Sequence, residues 1–543
     1  MARMIPYRVT QASQRANASP SVSLERGSYR MHAPNPRPLP ALLQGNTPPA
    51  RRSIVHEING NLALLLFLLV VGCLACFASA YYLFTTRWAY PQVHLSNMSN
   101  PSYEVNASTF TDRQHGGDMS TRYLAYLPHS GFHNQRIAFE NALLLAYALR
   151  RTLLVPPIRL GNKPMRYVEF DALMQHHELS SKDGLQHCLQ VPPYMSRPLE
   201  CLTYFESTYL PWTWLINISS VAAQQDLLLR STMSQQWIHD NLGLEERDAY
   251  VLRDDSPYQF RFLDTYSDTS PATDRYTLDI YFRDLVNIPH RLLQLGTLFG
   301  TSRLRLKHRR NVDHRRAIRQ SMMFANPDLV HASSSIAGAL GDFYIAIHLR
   351  TGDGHFKKKV EKTVNSIWWK ILHDVVGFPS SAKCDLESVF YGNMSRDCVL
   401  DNPNSGSETS SPSLASLTAA IPALTFKIQC RSPRHREQAY QSLNVPLYVA
   451  TDLRDPSSNP DLDILRRTFP CIFFLGDFPR ETQALKRLGS PYDGVSLYPF
   501  LLPFVDAMVA GNASKVIGTE GSTFSKFVSE ILWSSSPDRP EGL

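Results

Sequence analysis

Three short stretches carry side chains suited to holding a phosphate group. In the first, Pro128-His129-Ser130-Gly131-Phe132-His133-Asn134-Gln135-Arg136 follows a β-type run, Tyr123 to Leu127, and leads into a helical pattern from Ile137 to Leu149. A polar turn at a helix start presents free backbone N–H groups and the positive end of the helix dipole, which attract anions. Asn134 reads either as a ligand-facing amide or as a helix N-cap, although capping leaves Gln135 and Arg136 unexplained.

The second stretch is Phe343-Tyr-Ile-Ala-Ile-His348-Leu-Arg350-Thr-Gly-Asp353. Its apolar run predicts a buried strand that delivers His348 and Arg350 with the same side-chain parity. An arginine at the carboxyl end of a parallel strand lies where open α/β sheets bind ligands, and its fork suits phosphate oxygens. A buried core histidine and an Arg350–Asp353 ion pair are the alternative reading.

The third, Lys515-Val-Ile-Gly518-Thr-Glu-Gly521-Ser522-Thr523-Phe524-Ser525, predicts strand, turn and helix, with Ser522 and Thr523 offering hydroxyls and N–H groups to an anion. Ordinary capping by Ser522 is the alternative. Neither the Walker pattern nor G-x-G-x-x-G occurs here. A weaker fourth element, Pro446 to Asp452, predicts a strand ending on an acid that either contacts a ribose or base edge or caps the next helix. Asp461 and Asp463 read as first-turn helix acids, and no metal site is expected.

The elements that position these residues alternate strand and helix, which indicates an α/β architecture. In order and spacing, Gly131-Phe-His-Asn134-Gln135, His348-Leu-Arg350-Thr-Gly-Asp353, Tyr448-Val-Ala-Thr-Asp452 and Ile517-Gly-Thr-x-x-Ser-Thr-Phe524-Ser525 resemble the GDP-fucose protein O-fucosyltransferase family. The resemblance covers about residues 120–535. It implies a GT-B fold, two Rossmann-like domains facing a cleft, and inverting, metal-independent transfer of fucose from GDP-fucose to a glycoprotein or glycan hydroxyl. GDP-fucose would be the donor substrate, with no further cofactor.

By the same resemblance Arg350 neutralises the diphosphate leaving group and Asn134 sits near the sugar. His348, Asp353, Asp452, Ser522, Thr523, Phe524 and Phe132 bind the donor. Some relatives place a glutamate immediately before the Gly-Phe turn as general base; here that position is Ser130. His129, His133 and Glu140 are the candidates for the base. The alternatives are a transferase using another nucleotide sugar, or a catalytically silent GDP- or glycan-binding membrane protein.

Leu62 to Phe84 contains no charged residue, and about 20 apolar residues suffice to cross a bilayer. Eight arginines against Glu25 and Glu57 precede it, which by the positive-inside rule leaves the N-terminus cytosolic. The expected organisation is a disordered tail (1–61), an anchor (62–84), a lumenal stem (85–120), an N-terminal acceptor-side domain (121–335) and a C-terminal donor domain (336–543) with an inserted loop near 400–425. This describes a type II protein of the Golgi or endoplasmic reticulum. Glycosylation sequons at Asn97, Asn106, Asn217, Asn393 and Asn512 fall on the expected lumenal side. Of eight cysteines, Cys188, Cys201, Cys384, Cys398, Cys430 and Cys471 follow the anchor, and Cys188–Cys201 and Cys384–Cys398 are the expected pairs. The net charge of +7 owes part to the tail and part to a basic run from Arg303 to Arg310 with Arg315 and Arg316. That run reads as a solvated helix face or one facing anionic glycans, and no motif supports nucleic acid.

Overall fold

Apolar five-residue runs with no polar alternation make strands buried on both faces, and parallel sheets are built from these. The computed structural model describes residues 60–88, 120–192, 194–266, 275–352, 354–391 and 428–533. Residues up to Pro101 and those from Ser102 form separate compact units. In the first unit, helix α1 (Gly60–Trp88) is 29 residues long and exposes Leu64, Leu69 and Phe77 among its side chains. Among the described residues, no helix with its side chains placed is long and apolar enough to cross a membrane; several side chains of α1 lie outside that description.

The second unit holds two principal parallel sheets. The first comprises β1 (Tyr123–Ala125), β2 (Thr152–Val155), β5 (Leu227–Leu229), β6 (Ala249–Leu252) and β9 (Leu292–Leu295), in the order β5-β2-β1-β9-β6. Between them in sequence, β3 (Ile158–Gly161) and β4 (Ser207–Leu210) form an antiparallel pair. A three-stranded parallel sheet joins β7 (Phe260–Leu263), β8 (Leu278–Tyr281) and β10 (Leu304–Arg305). The second principal sheet has the order β13-β12-β11-β14, from β11 (Ile345–Leu349), β12 (Leu447–Thr451), β13 (Ile472–Phe473) and β14 (Lys515–Gly518). Its pairings are all parallel.

Helix α2 (Phe132–Leu149) follows β1, α3 (Arg309–Ser321) follows β10 and α4 (Pro327–Leu340) precedes β11. Asn326 caps α4 by accepting from the N–H groups of Asp328 and Leu329, and Pro327 occupies the first turn, where its missing N–H costs nothing. Helix α5 (Val360–Lys370) covers one face of the second sheet, and α6 (Tyr498–Gly511) the other. The period of two along β11 explains the division. Ile345, Ile347 and Leu349 pack with α5, whereas Ala346 joins Phe504 and Val505 in a core shared with Leu124 and Leu293 of the first sheet. That shared core joins the two principal sheets into one body.

Two expectations change. Helix α2 begins five residues earlier than the apolar pattern suggested, capped by extended Gly131 without any side-chain bond. Asn134 therefore lies inside the first turn and is not the N-cap. Arg303 is not part of a basic surface. It is fully buried and donates to the carbonyls of Phe299 and Phe260, which satisfies a cation that burial would otherwise penalise.

Cys188–Cys201 is bonded as expected, and Cys430 pairs with Cys471. Cys384 is also in a disulfide, while Cys398 lies outside the described residues, as do most of the expected inserted loop and Asp353. The Cys430–Cys471 link closes a 41-residue separation. Replacing both cysteines by alanine is expected to cost about 4 kcal/mol, by the loop-entropy relation, read as a lowered denaturant midpoint. An unchanged midpoint would show that the link does not constrain the chain.

Candidate functional site

Parallel strands β12, β11 and β14 lie side by side, with His348 opposite Ala450 on one side and Gly518 on the other. Their carboxyl ends therefore finish together, and the loops that follow meet above the sheet edge, where ligands of open α/β sheets bind. Three side-chain ties fix these loops.

Thr519, just past β14, makes the first. Its hydroxyl donates to the His348 carbonyl at 3.1 Å and accepts from the Arg350 N–H at 2.9 Å. Asp452, just past β12, makes the second. Its carboxylate accepts from the N–H groups of Thr351 and Gly352 and from the Thr351 hydroxyl, and it pairs with Arg350 Nη1 at 2.9 Å. A Cβ on Gly352 would lie 2.8 Å from an Asp452 oxygen, so this approach requires glycine. Both of the acid's oxygens thus serve the turn and the arginine. Behind it, Asp506 accepts from the Tyr448 hydroxyl and the Thr451 N–H, and burial pushes its carboxyl up to about 7.

Ser525 makes the third tie. Its hydroxyl is hydrogen-bonded to His348 Nδ1 at 2.7 Å and accepts from the Thr519 N–H at 3.1 Å. Gly518 allows this packing, since a Cβ there would meet the Ser525 Cβ at 2.7 Å. His348 is buried, and that burial pushes its imidazole down to about 4 despite nearby Asp452. It is therefore a neutral ring that holds the strand end in place.

Helix α7 (Thr523–Phe527) starts at Ser522, whose side chain accepts from the Ser525 N–H. Ser522 is buried and spent on capping, whereas Thr523 is exposed. The Thr523 hydroxyl reaches Asn134 Oδ1 at 3.5 Å, the limit of hydrogen bonding. Phe524 lies between two histidines, 5.1 Å from the His348 ring and 6.3 Å from His133. Phe132 packs among Trp212, Phe324, Phe504 and Phe527. It anchors the start of α2 to the C-terminal half.

The rest of the first turn of α2 has structural roles. Gln135 exchanges hydrogen bonds with the backbone of Arg159 on β3, at 2.8 and 2.9 Å. Arg136 donates to Glu140 at 3.2 Å. Asn134 is left facing α7.

The three candidate bases are now distinguishable. His129 has both ring nitrogens at 2.7 Å from hydroxyls, those of Ser130 and Thr297, and burial with nearby Arg303 pushes it down to about 4. Glu140 is buried among Arg136, Arg319 and Arg315 at 3.2, 2.9 and 3.7 Å. Its two oxygens are engaged by Arg136 and Arg319, which commits Glu140 to a structural ion cluster. His133 accepts from Arg136 Nε at 3.5 Å, and its Nε2 has no hydrogen-bond partner among the described residues. Burial first, then Arg136 and His348, push its imidazole well below the ordinary value.

A cavity of about 340 Å³ opens beside this group, with His133, Arg136, Arg319, Thr523 and Lys526 in its wall. The sequence reading missed Thr519 as a tie and this cavity altogether. Thr519 stood directly after a strand end, a usable signal; the cavity draws residues from three distant segments, and no local pattern announces it.

The arrangement is a parallel α/β fold in which the ends of β12, β11 and β14 lie together and the starts of α2 and α7 meet at Asn134 and Thr523. Residues 123–364 match the family described as GDP-fucose protein O-fucosyltransferase. A 40-residue segment is 55% identical to O-fucosyltransferase 30 of Arabidopsis thaliana, covering 7% of this chain and 8% of that protein. Solved structures of POFUT1 in complex with GDP-fucose and with GDP are 13% and 14% identical to the chain. They cover 75% and 77% of it, and 93% and 97% of their own chains, with TM-scores of 0.32 and 0.35. Scores this low carry no argument about the site.

Glu140→Ala is expected to cost about 3–5 kcal/mol of stability, because it strands buried Arg136 without its acid. A Glu140 variant of native stability would show that the ion cluster does not hold α2.

Proposed function

We propose that the chain is an inverting, metal-independent GT-B glycosyltransferase that moves fucose from GDP-fucose to a hydroxyl of a glycoprotein or glycan. The observation that carries this reading is the placement of Arg350. Asp452 and Thr519 hold it at the carboxyl end of β11, beside a helix start whose Thr523 touches Asn134. The family match over residues 123–364 supports the donor assignment.

In this scheme the acceptor oxygen attacks the anomeric carbon from the face opposite the diphosphate. The bond from that carbon to the phosphate oxygen breaks, and its electron pair leaves with GDP. Arg350 neutralises the charge that develops there; preorganised donors at such a position are often the largest catalytic contribution. Asn134 and Thr523 orient the sugar and phosphate. Ser522 acts indirectly by capping α7, and His348 and Asp452 hold Arg350. With Nδ1 accepting from Arg136, the neutral His133 ring carries its proton on Nε2 and donates there to a substrate oxygen, while the acceptor proton passes to water as the new bond forms. A silent binding protein is the reading favoured by Ser130 and by the clamped Glu140, and turnover decides between them.

α1 serves as a signal anchor with the enzyme on the lumenal side of the Golgi or endoplasmic reticulum. Three observations support this: the uncharged run within α1, disulfides on its C-terminal side, and exposed Asn217 and Asn512 in sequons.

Arg350→Ala is expected to lower the rate of fucose release or transfer from GDP-fucose about 100-fold or more. Equal rates for wild type and variant would remove Arg350 from the mechanism.

The pH profile follows from the imidazoles. Their folded-state values are depressed, so His129, His133 and His348 stay neutral as pH falls through 6.5 and gain protons only well below it. The profile of kcat/KM is therefore expected to lack an acidic limb centred near 6.5. A limb there that disappears in His133→Gln would contradict the buried environment assigned to His133.

A further inference from the structure

The cavity beside Asn134 and Thr523 has a chemistry that donor binding does not explain. One carboxylate, Glu140, answers three guanidiniums, those of Arg136, Arg315 and Arg319. Arg316 has Asp313 at 2.9 Å, and Lys526 has no ion-pair partner among the described residues. Even with Glu530 in the wall, positive groups outnumber acids.

Two buried polar side chains in this wall also keep unpartnered atoms. Arg136 is 5% exposed and His133 is 7% exposed. Arg136 spends Nε on His133 and Nη1 on Glu140, while its Nη2 has no hydrogen-bond partner among the described residues. His133 Nε2 is in the same position. Both residues line the cavity, where a ligand oxygen can accept from these groups.

The remaining wall narrows the ligand. Thr301, Gln320 and Thr523 offer neutral hydrogen-bonding groups, and Phe527 offers a ring. Hydroxyls suit the first three, C–H faces of a sugar suit the ring, and an anionic substituent suits the cations. A volume of about 340 Å³ lies at the lower end of ligand pockets, roughly 300–1,000 Å³, and admits a sugar unit but no folded domain.

We propose that this cavity is an acceptor subsite for an acidic sugar, one carrying a carboxylate, a sulfate or a phosphate, whose neighbouring hydroxyl receives the fucose. The inference rests on the transferase reading only in calling the bound molecule an acceptor. The basic helix α3 that supplies Arg316 and Arg319 to the wall thereby acquires a role beyond solubility. Arg316 and Lys526 are exposed and lie outside the catalytic group, so they can be changed without disturbing Glu140.

The test uses the full chain in detergent, saturated with GDP. Binding of a tetrasaccharide of uronic acids is compared with binding of the same tetrasaccharide reduced at its carboxyls to a neutral form, and with an acidic peptide of equal charge. The acidic sugar is expected to bind about tenfold more tightly than the neutral one, a typical scale for a charge contact at a partly buried site. Arg316→Gln combined with Lys526→Gln is expected to abolish that preference while leaving the GDP affinity and melting temperature unchanged. Equal binding of the two sugars, no binding of either, or preference for the peptide would overturn the proposal. So would a parallel loss of GDP affinity, which would assign the cavity to the donor diphosphate. Failure of GDP itself to bind counts against the transferase reading instead, and the sugar comparison in nucleotide-free chain still decides the subsite.

Discussion

Everything proposed for this chain depends on three parallel strand ends being tied at one level. β11 is flanked by β12 and β14, and each neighbour contributes one side chain to the loop after Leu349. Thr519 fixes the backbone at His348 and Arg350, and Asp452 fixes the turn at Thr351 and Gly352 while orienting the Arg350 guanidinium. A long arginine side chain loses much rotamer freedom when placed. Here the ion pair and the turn meet that cost before any ligand arrives, so Arg350 is preorganised.

The same ties link the two halves of the fold. Ser525 holds His348 from below, and the helix it belongs to presents Thr523 to Asn134 and Phe524 to His133. On the other side, Phe132 inserts among aromatic rings from both halves. The first turn of α2 therefore divides its labour. Phe132, Gln135 and Arg136 secure the turn, and Asn134 is left to face α7. The cluster of Glu140 with three arginines secures the far side of α2 and leaves an excess of positive charge along the cavity.

Much of this was legible in the sequence where the signal was local. The runs Ile345–Leu349 and Leu447–Thr451 are apolar and short, bounded by polar turns, and both are parallel strands. The parity that put His348 and Arg350 together is a property of any strand, and Gly518 and Gly352 sat where close approach demanded them. What stayed hidden was set by partners far away in the chain. Nothing near Glu140 announces Arg319, 179 residues distant. The burial of Arg303 and the start of α2 at Phe132 depend on surrounding carbonyls and packing that local residue types do not encode. Ser522 shows the opposite case: its local capping reading names the bond it makes to the Ser525 N–H.

The most direct test of the central claim is a crystal structure of the chain with GDP bound. The account predicts the diphosphate within hydrogen-bond distance of the Arg350 guanidinium and of Thr523 at the start of α7, with the Asp452 and Thr519 ties unchanged. A diphosphate bound away from Arg350, or an Arg350 that must leave Asp452 to reach it, would contradict a preorganised site.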